Sequence, residues 1–147
     1  MLPDSTWFKA VDAGCKDGTP FPDDLALWLA SSGMADHARD IWGGPLLAVS
    51  VFRTDGYNAR LIATGHHDVA SASRHPHGDA WDLRPIGEYA AQFEDPVLAF
   101  HDKLLAAHGA GQFNELGGLG LYPPGQWVHI DLFKASDGHL RRWNMRR

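Results

Sequence analysis

The chain alternates between stretches of helical and of strand-like apolar spacing. Asp23 and Asp24 precede Leu25, Leu27, Trp28 and Leu29, an acid-capped helix start. Gly33 predicts a break there, with residues 34–42 as a second, turn-rich piece before Gly43-Gly44-Pro45. Together they make an N-terminal helical layer over about residues 22–43. Residues 46–52 are apolar and β-branched toward their end, Thr54-Asp55-Gly56-Tyr57-Asn58 is rich in turn formers, and residues 59–64 are apolar again. That pattern predicts a β-hairpin. A loop rich in His and Ser runs over residues 65–85. Asp95-Pro96 then supplies an N-cap with proline at the first helical position, and Val97, Leu98, Phe100, Leu104 and Leu105 recur at helical spacing until Gly109. Glycines 117, 118 and 120 lead into Leu119-Gly120-Leu121-Tyr122, and Pro123-Pro124-Gly125 is a turn. Residues 127–133 alternate as a strand does: Trp127, His129, Asp131 and Phe133 share one face, and Val128, Ile130 and Leu132 the other. The polar pair His129 and Asp131 therefore points together, away from an aliphatic face suited to packing on a helix.

Composition narrows the classes open to such a chain. Its 147 residues are 44% hydrophobic and 21% charged, enough apolar material for one domain with a single core, which sets aside a disordered linker. No internal repeat is visible. The apolar stretches, such as residues 46–51, fall far short of the roughly 20 residues of a membrane span. Met1-Leu2-Pro3-Asp4-Ser5 lacks the basic end and apolar run of a signal peptide, so neither feature is expected. The single Cys15 excludes a cystine-rich scaffold and a multi-thiolate site. A net charge of −5 argues against a nucleic-acid partner. The basic run Arg141-Arg142-Trp143-Asn144-Met145-Arg146-Arg147 reads as a solvated end, with contact to an anionic polymer as the alternative. Nothing in the sequence specifies an oligomeric state.

Nine histidines stand out. In Ser73-Arg74-His75-Pro76-His77-Gly78-Asp79-Ala80-Trp81-Asp82 an imidazole and a carboxylate lie seven residues apart with Gly78 and Ala80 between them. Zinc takes nitrogen and carboxylate ligands at about 2.0–2.2 Å, and a catalytic site uses three from the protein and keeps a fourth position open. A tight turn at Gly78 and the small Ala80 let His75 in a loop and Asp82 on an emerging strand converge on one ion, with His129 as the third ligand. The competing reading of each histidine alone is a hydrogen-bonded structural residue. His66, His67 and His77 read as rim or hydrogen-bonding residues, and Trp81, Tyr122 and Trp127 as core residues or as walls of a groove.

These residues resemble the D-alanyl-D-alanine carboxypeptidase family of zinc peptidases, which includes phage endolysins and shares its fold with hedgehog signalling domains. The family signature is S-x-H-x-x-G-x-A-x-D followed by H-x-D. Ser73, His75, Gly78, Ala80, Asp82, His129 and Asp131 match all seven positions. Leu119-Gly120-Leu121-Tyr122 and Arg142-Trp143 match flanks that recur in one branch, so the similarity spans roughly residues 60 to 143.

The resemblance implies one Zn²⁺ held by His75, Asp82 and His129, with Ser73 fixing the loop. It implies an α+β fold: a small antiparallel sheet with helices on one face and the metal on the other. The implied activity is hydrolysis of peptidoglycan stem peptides, by a carboxypeptidase or an endopeptidase. Such a protein without an export signal would stay cytoplasmic until lysis or travel in a virion. Two positions depart from the pattern. Gln126 stands where several branches carry the general base, so Asp131 is the candidate proton acceptor, with orientation of an imidazole N–H as its other reading. Thr64-Gly65-His66-His67 stands where many members carry Ser-Gly-Tyr-Arg, which makes His67 the oxyanion donor and Arg74 and Arg84 substitute cations. His66 and Tyr122 complete the expected substrate side. A second reading keeps the fold and the metal without turnover, as a recognition or structural module of a phage particle. A third is a purely structural domain with coincidental histidines.

Overall fold

The computed structural model describes residues 1–66 and 73–146. Among them are four α-helices, α1 (Leu25–Trp42), α2 (Asp55–Ala63), α3 (Gly87–Ala91) and α4 (Pro96–Gly109), and five strands. The strands are β1 (Leu46–Ser50), β2 (Ala80–Pro85), β3 (Gly118–Leu121), β4 (Val128–Asp131) and β5 (Arg141–Asn144). They form one sheet in the order β1-β2-β4-β3-β5. The class is α+β, as expected, but the sheet is mixed rather than antiparallel, because β5 runs parallel to β3. The cause is a second reversal after β4. Gly138, at φ 80°, donates its N–H to the Ala135 carbonyl at 2.9 Å, and this turn brings β5 alongside β3 in the same direction.

Strand alternation divides the sheet into two chemically different faces. Trp81, Leu83, Leu119, Leu121, Val128 and Ile130 point to one side and join a core with Trp28 and Trp42 of α1 and Phe100 and Leu104 of α4. Asp82, His129 and Asp131 occupy the other. Helix α1 starts as expected, with the Asp24 side chain accepting from the Leu27 N–H at 3.0 Å. It does not break at Gly33. Trp28, Ser31, Ala35, Ala38 and Trp42 make an unbroken buried stripe, whose burial outweighs the roughly 1 kcal/mol that glycine costs in a helix. Helix α4 also starts as expected, with Asp95 accepting from the Leu98 N–H at 3.1 Å.

The predicted hairpin is overturned. Residues 59–64 belong not to a strand but mainly to α2, and Thr54 is its N-cap, accepting from the Tyr57 N–H at 3.1 Å. Threonine followed by aspartate serves turns and helix starts alike. Tyr57 and Leu61 of α2 line a cavity together with Asp82 and His129, so one helix lies on the side opposite α1 and α4. The basic end is not a solvated tail either. Arg141–Asn144 is β5, Arg141 pairs with Asp131, and Arg146 pairs with the α4 cap Asp95, so two of its cations are neutralised within the fold. None of the helices described is long and apolar enough to cross a membrane.

One buried hydroxyl joins the helical layer to the motif strand. Ser31 donates to the Gly78 carbonyl at 2.7 Å and accepts from the Trp81 indole N–H at 2.8 Å. Ser31→Ala would leave both partners buried and unsatisfied, so a loss of about 2 kcal/mol is expected. Urea unfolding of the variant should show a lower midpoint with an unchanged slope.

Candidate metal centre

The antiparallel register of β2 and β4 sets Asp82 opposite His129 and Ala80 opposite Asp131. Both polar residues of β4 therefore stand beside β2 on the face turned away from the core. His75 arrives from a single 3-10 turn, His75–His77, that ends at Gly78. Gly78 has φ 76°, and a Cβ there would press on Leu27 at 3.0 Å, so glycine is required by both backbone and packing.

The three side chains converge. His75 Nδ1 donates to the Val51 carbonyl at 2.6 Å, which leaves its Nε2 facing Asp82 Oδ2 at 3.1 Å. His129 Nδ1 lies 3.0 Å from Asp82 Oδ1. One candidate ligand atom from each of His75, Asp82 and His129 lies within 4.8 Å of the others, and all three residues are buried. Such a group could hold a metal ion.

Opposed effects set the charges here. Burial disfavours the Asp82 carboxylate, but the neighbouring His75 and His129 outweigh it and hold its pKa well below the ordinary range. Burial likewise disfavours a charged His129, yet the hydrogen bonds to Asp131 and Asp82 win and raise its pKa to about 9. Asp131 is wholly buried. Desolvation raises its pKa, and contacts with His129 and Arg141 more than reverse that. Asp131 Oδ2 meets His129 Nε2 at 2.8 Å, the Phe133 N–H donates to its Oδ1 at 2.9 Å, and Arg141 Nη2 donates to both oxygens at 2.7 Å.

The other expected residues divide. Ser73 accepts from the His75 backbone N–H at 3.3 Å, and Ser73, His66 and Tyr122 all line the cavity, of about 550 Å³, that the three metal-site residues also line. His66 is exposed, with Nδ1 3.2 Å from both the Leu61 carbonyl and the Thr64 hydroxyl. Tyr122 is buried, with its ring 5.2 Å from that of Trp127. Trp81 belongs to the core. Arg74 lines the cavity, but its guanidinium is held by Asp79 and lies over the Phe133 ring at 4.2 Å. Arg84 donates to the Gln126 carbonyl at 2.8 Å, and neither residue lines the cavity. His67 lies outside the described residues. Residues 64–66 follow the end of α2, so they do not form a strand leading to the first motif.

A cation does stand at the site, eleven residues before Thr64. Arg53, just past β1, donates Nη2 to Asp82 Oδ2 at 3.2 Å and Nε to Ser50 Oγ at 3.0 Å. Its backbone N–H bonds the His75 carbonyl at 3.3 Å, and it lines the cavity. The signal that could have revealed it is an arginine closing an apolar strand. Its partner Asp82 becomes visible only through the register that pairs Ser50 with Asp82.

No protein-family model, curated protein or solved structure matches this chain.

Proposed function

We propose that the chain is a zinc-dependent peptidase of the hedgehog/D-alanyl-D-alanine carboxypeptidase type, acting on peptidoglycan stem peptides. The observation that carries this reading is the convergence of His75, Asp82 and His129, drawn from a loop and two strands, at the wall of a cavity. Two imidazole nitrogens and one carboxylate oxygen are a donor set that suits zinc, and three protein donors beside open space suit a catalytic ion rather than a structural one. One donor atom from each of the three residues lies within 4.8 Å of the others, close enough for a single ion to be reached by all three. The seven-position signature supplies the substrate class.

When bound, zinc polarises a carbonyl and makes water more acidic. The chain supplies the rest. Arg53 faces the cavity beside Asp82 and is the donor for a substrate carbonyl or carboxylate, the task sought at residues 64–67. Asp131 has both oxygens engaged, so it orients His129 rather than taking a proton. Among the described residues, His66 is the histidine of the cavity wall that stands outside the His75, Asp82 and His129 group, and it is the candidate proton carrier.

The second reading, a metal-binding recognition module without turnover, rests on one observation. Among the described residues, the carboxylates lining the cavity are Asp82 and Asp131, and both are engaged with cations or histidines rather than free to act as a base.

Metal analysis followed by peptidoglycan digestion tests both. One zinc per chain is expected, with new amino groups released from purified peptidoglycan, and His75→Ala should lose the metal and the release together. Zinc without release from several wall types would favour the recognition module. A chain that takes up no zinc would defeat both.

A further inference from the structure

Strand β3 separates β5 from β4, so β5 side chains reach His129 only if β3 presents none on that face. It presents none. The registers align Asp82, His129, Gly120 and Trp143 in one row across four strands, and Ala80, Asp131, Gly118 and Arg141 in the next. A Cβ on Gly118 would collide with the Asp131 carboxylate and with Arg141 Nη2, and one on Gly120 would collide with the Trp143 indole nitrogen. The two glycines form a trough. Through it Arg141 grips both oxygens of Asp131 and anchors its own Nε on the Phe133 carbonyl at 3.1 Å. Through it also, the Trp143 ring lies 4.9 Å from the His129 ring, with its N–H 3.4 Å from the Tyr122 hydroxyl.

Asp131 is thus held from both sides, and its contact with His129 Nε2 turns Nδ1 toward Asp82 and His75. We infer that Arg141 and Trp143 are positioning residues for His129, and that the Gly118/Gly120 trough exists to admit them. The role in metal affinity rests on the proposed zinc reading; the control of ring orientation does not. A metal-ligating histidine whose other ring nitrogen meets a clamped carboxylate is held in one tautomer and one orientation, and loss of such outer contacts typically weakens metal binding about 10–100-fold.

The test compares the full chain with Arg141→Met, Arg141→Lys and Trp143→Ala, using Arg142→Met as control because Arg142 is exposed on the opposite side of β5. Zinc affinity by chelator competition should fall about 10–100-fold in Arg141→Met, and the visible absorption of the cobalt(II) form should shift. Arg141→Lys, which keeps a charge beside Asp131 but loses the two-pronged grip, should fall between. It also carries the comparison if Arg141→Met does not fold. Wild-type affinity and cobalt spectrum in Arg141→Lys and Trp143→Ala would overturn the inference. If the wild-type chain takes up neither metal, the zinc reading fails by itself. The positioning role is then decided by the His129 ring resonances of the metal-free protein. A change in Arg141→Lys but not in Arg142→Met supports it, and unchanged resonances in Arg141→Lys overturn it.

Discussion

Asp82→Asn is expected to lower the stability of the metal-free chain by about 3–5 kcal/mol, the usual cost of removing one partner from a buried charged cluster. Asp82 is the hub: His75 Nε2, His129 Nδ1 and Arg53 Nη2 all lie within 3.2 Å of its oxygens. The amide would leave the Arg53 guanidinium and a protonated His129 facing each other without their shared counter-charge. The pH dependence follows from the sign of the His129 shift. A pKa raised from 6.5 to about 9 means that the charged imidazole contributes stability that is fully present below about 6.5 and is lost as pH rises through about 9. The deficit of Asp82→Asn should therefore be largest near pH 6 and smaller near pH 9.5, where His129 has given up its charge and Arg53 still needs the carboxylate. Denaturant unfolding of the metal-free wild type and variant at those two pH values checks this. An equal deficit at both would show that His129 is not charged in the folded protein. The variant should also bind no zinc, having lost the one carboxylate of the ligand set.

Zinc affinity should rise about tenfold per pH unit between pH 6 and pH 8, roughly a hundredfold in all, because an imidazolium has no lone pair for a metal. With its pKa raised to about 9 by Asp131 and Asp82 against the effect of burial, His129 holds a proton across that range and must release it when zinc enters. Competition titrations corrected for chelator protonation would give the slope. Calorimetry in buffers of differing ionisation heat would count the protons released, with close to one from His129 expected at pH 7. An affinity that is flat over the range would remove His129 from the ligand set, and the zinc reading with it.

What could be read from the sequence follows the range of the interactions involved. The caps Asp24 and Asp95, the helical spacing of α4, and the alternation that puts His129 and Asp131 on one face of β4 depend on residues within a turn or two of each other, and they stand in the structure as expected. The grouping of His75, Asp82 and His129 was legible because spacing and residue type carry it: a glycine turn before a strand, and a histidine on a second strand. Local signals failed where one chemistry serves two structures. Thr54-Asp55 caps a helix as readily as it makes a turn, and Gly33 lies inside a helix that its buried stripe holds together.

Tertiary structure alone decided the partners of the charges. Arg53 meets Asp82 through the β1–β2 register, and Arg141 meets Asp131 across a strand made bare by Gly118 and Gly120. The residues of each pair lie 29 and 10 positions apart, and nothing in either one's neighbourhood names the other. Strand order and register are collective outcomes of packing the whole sheet on α1 and α4. Residue types and their local periods therefore determined which groups could bind a metal, and only the assembled sheet determined which arginines hold those groups in place.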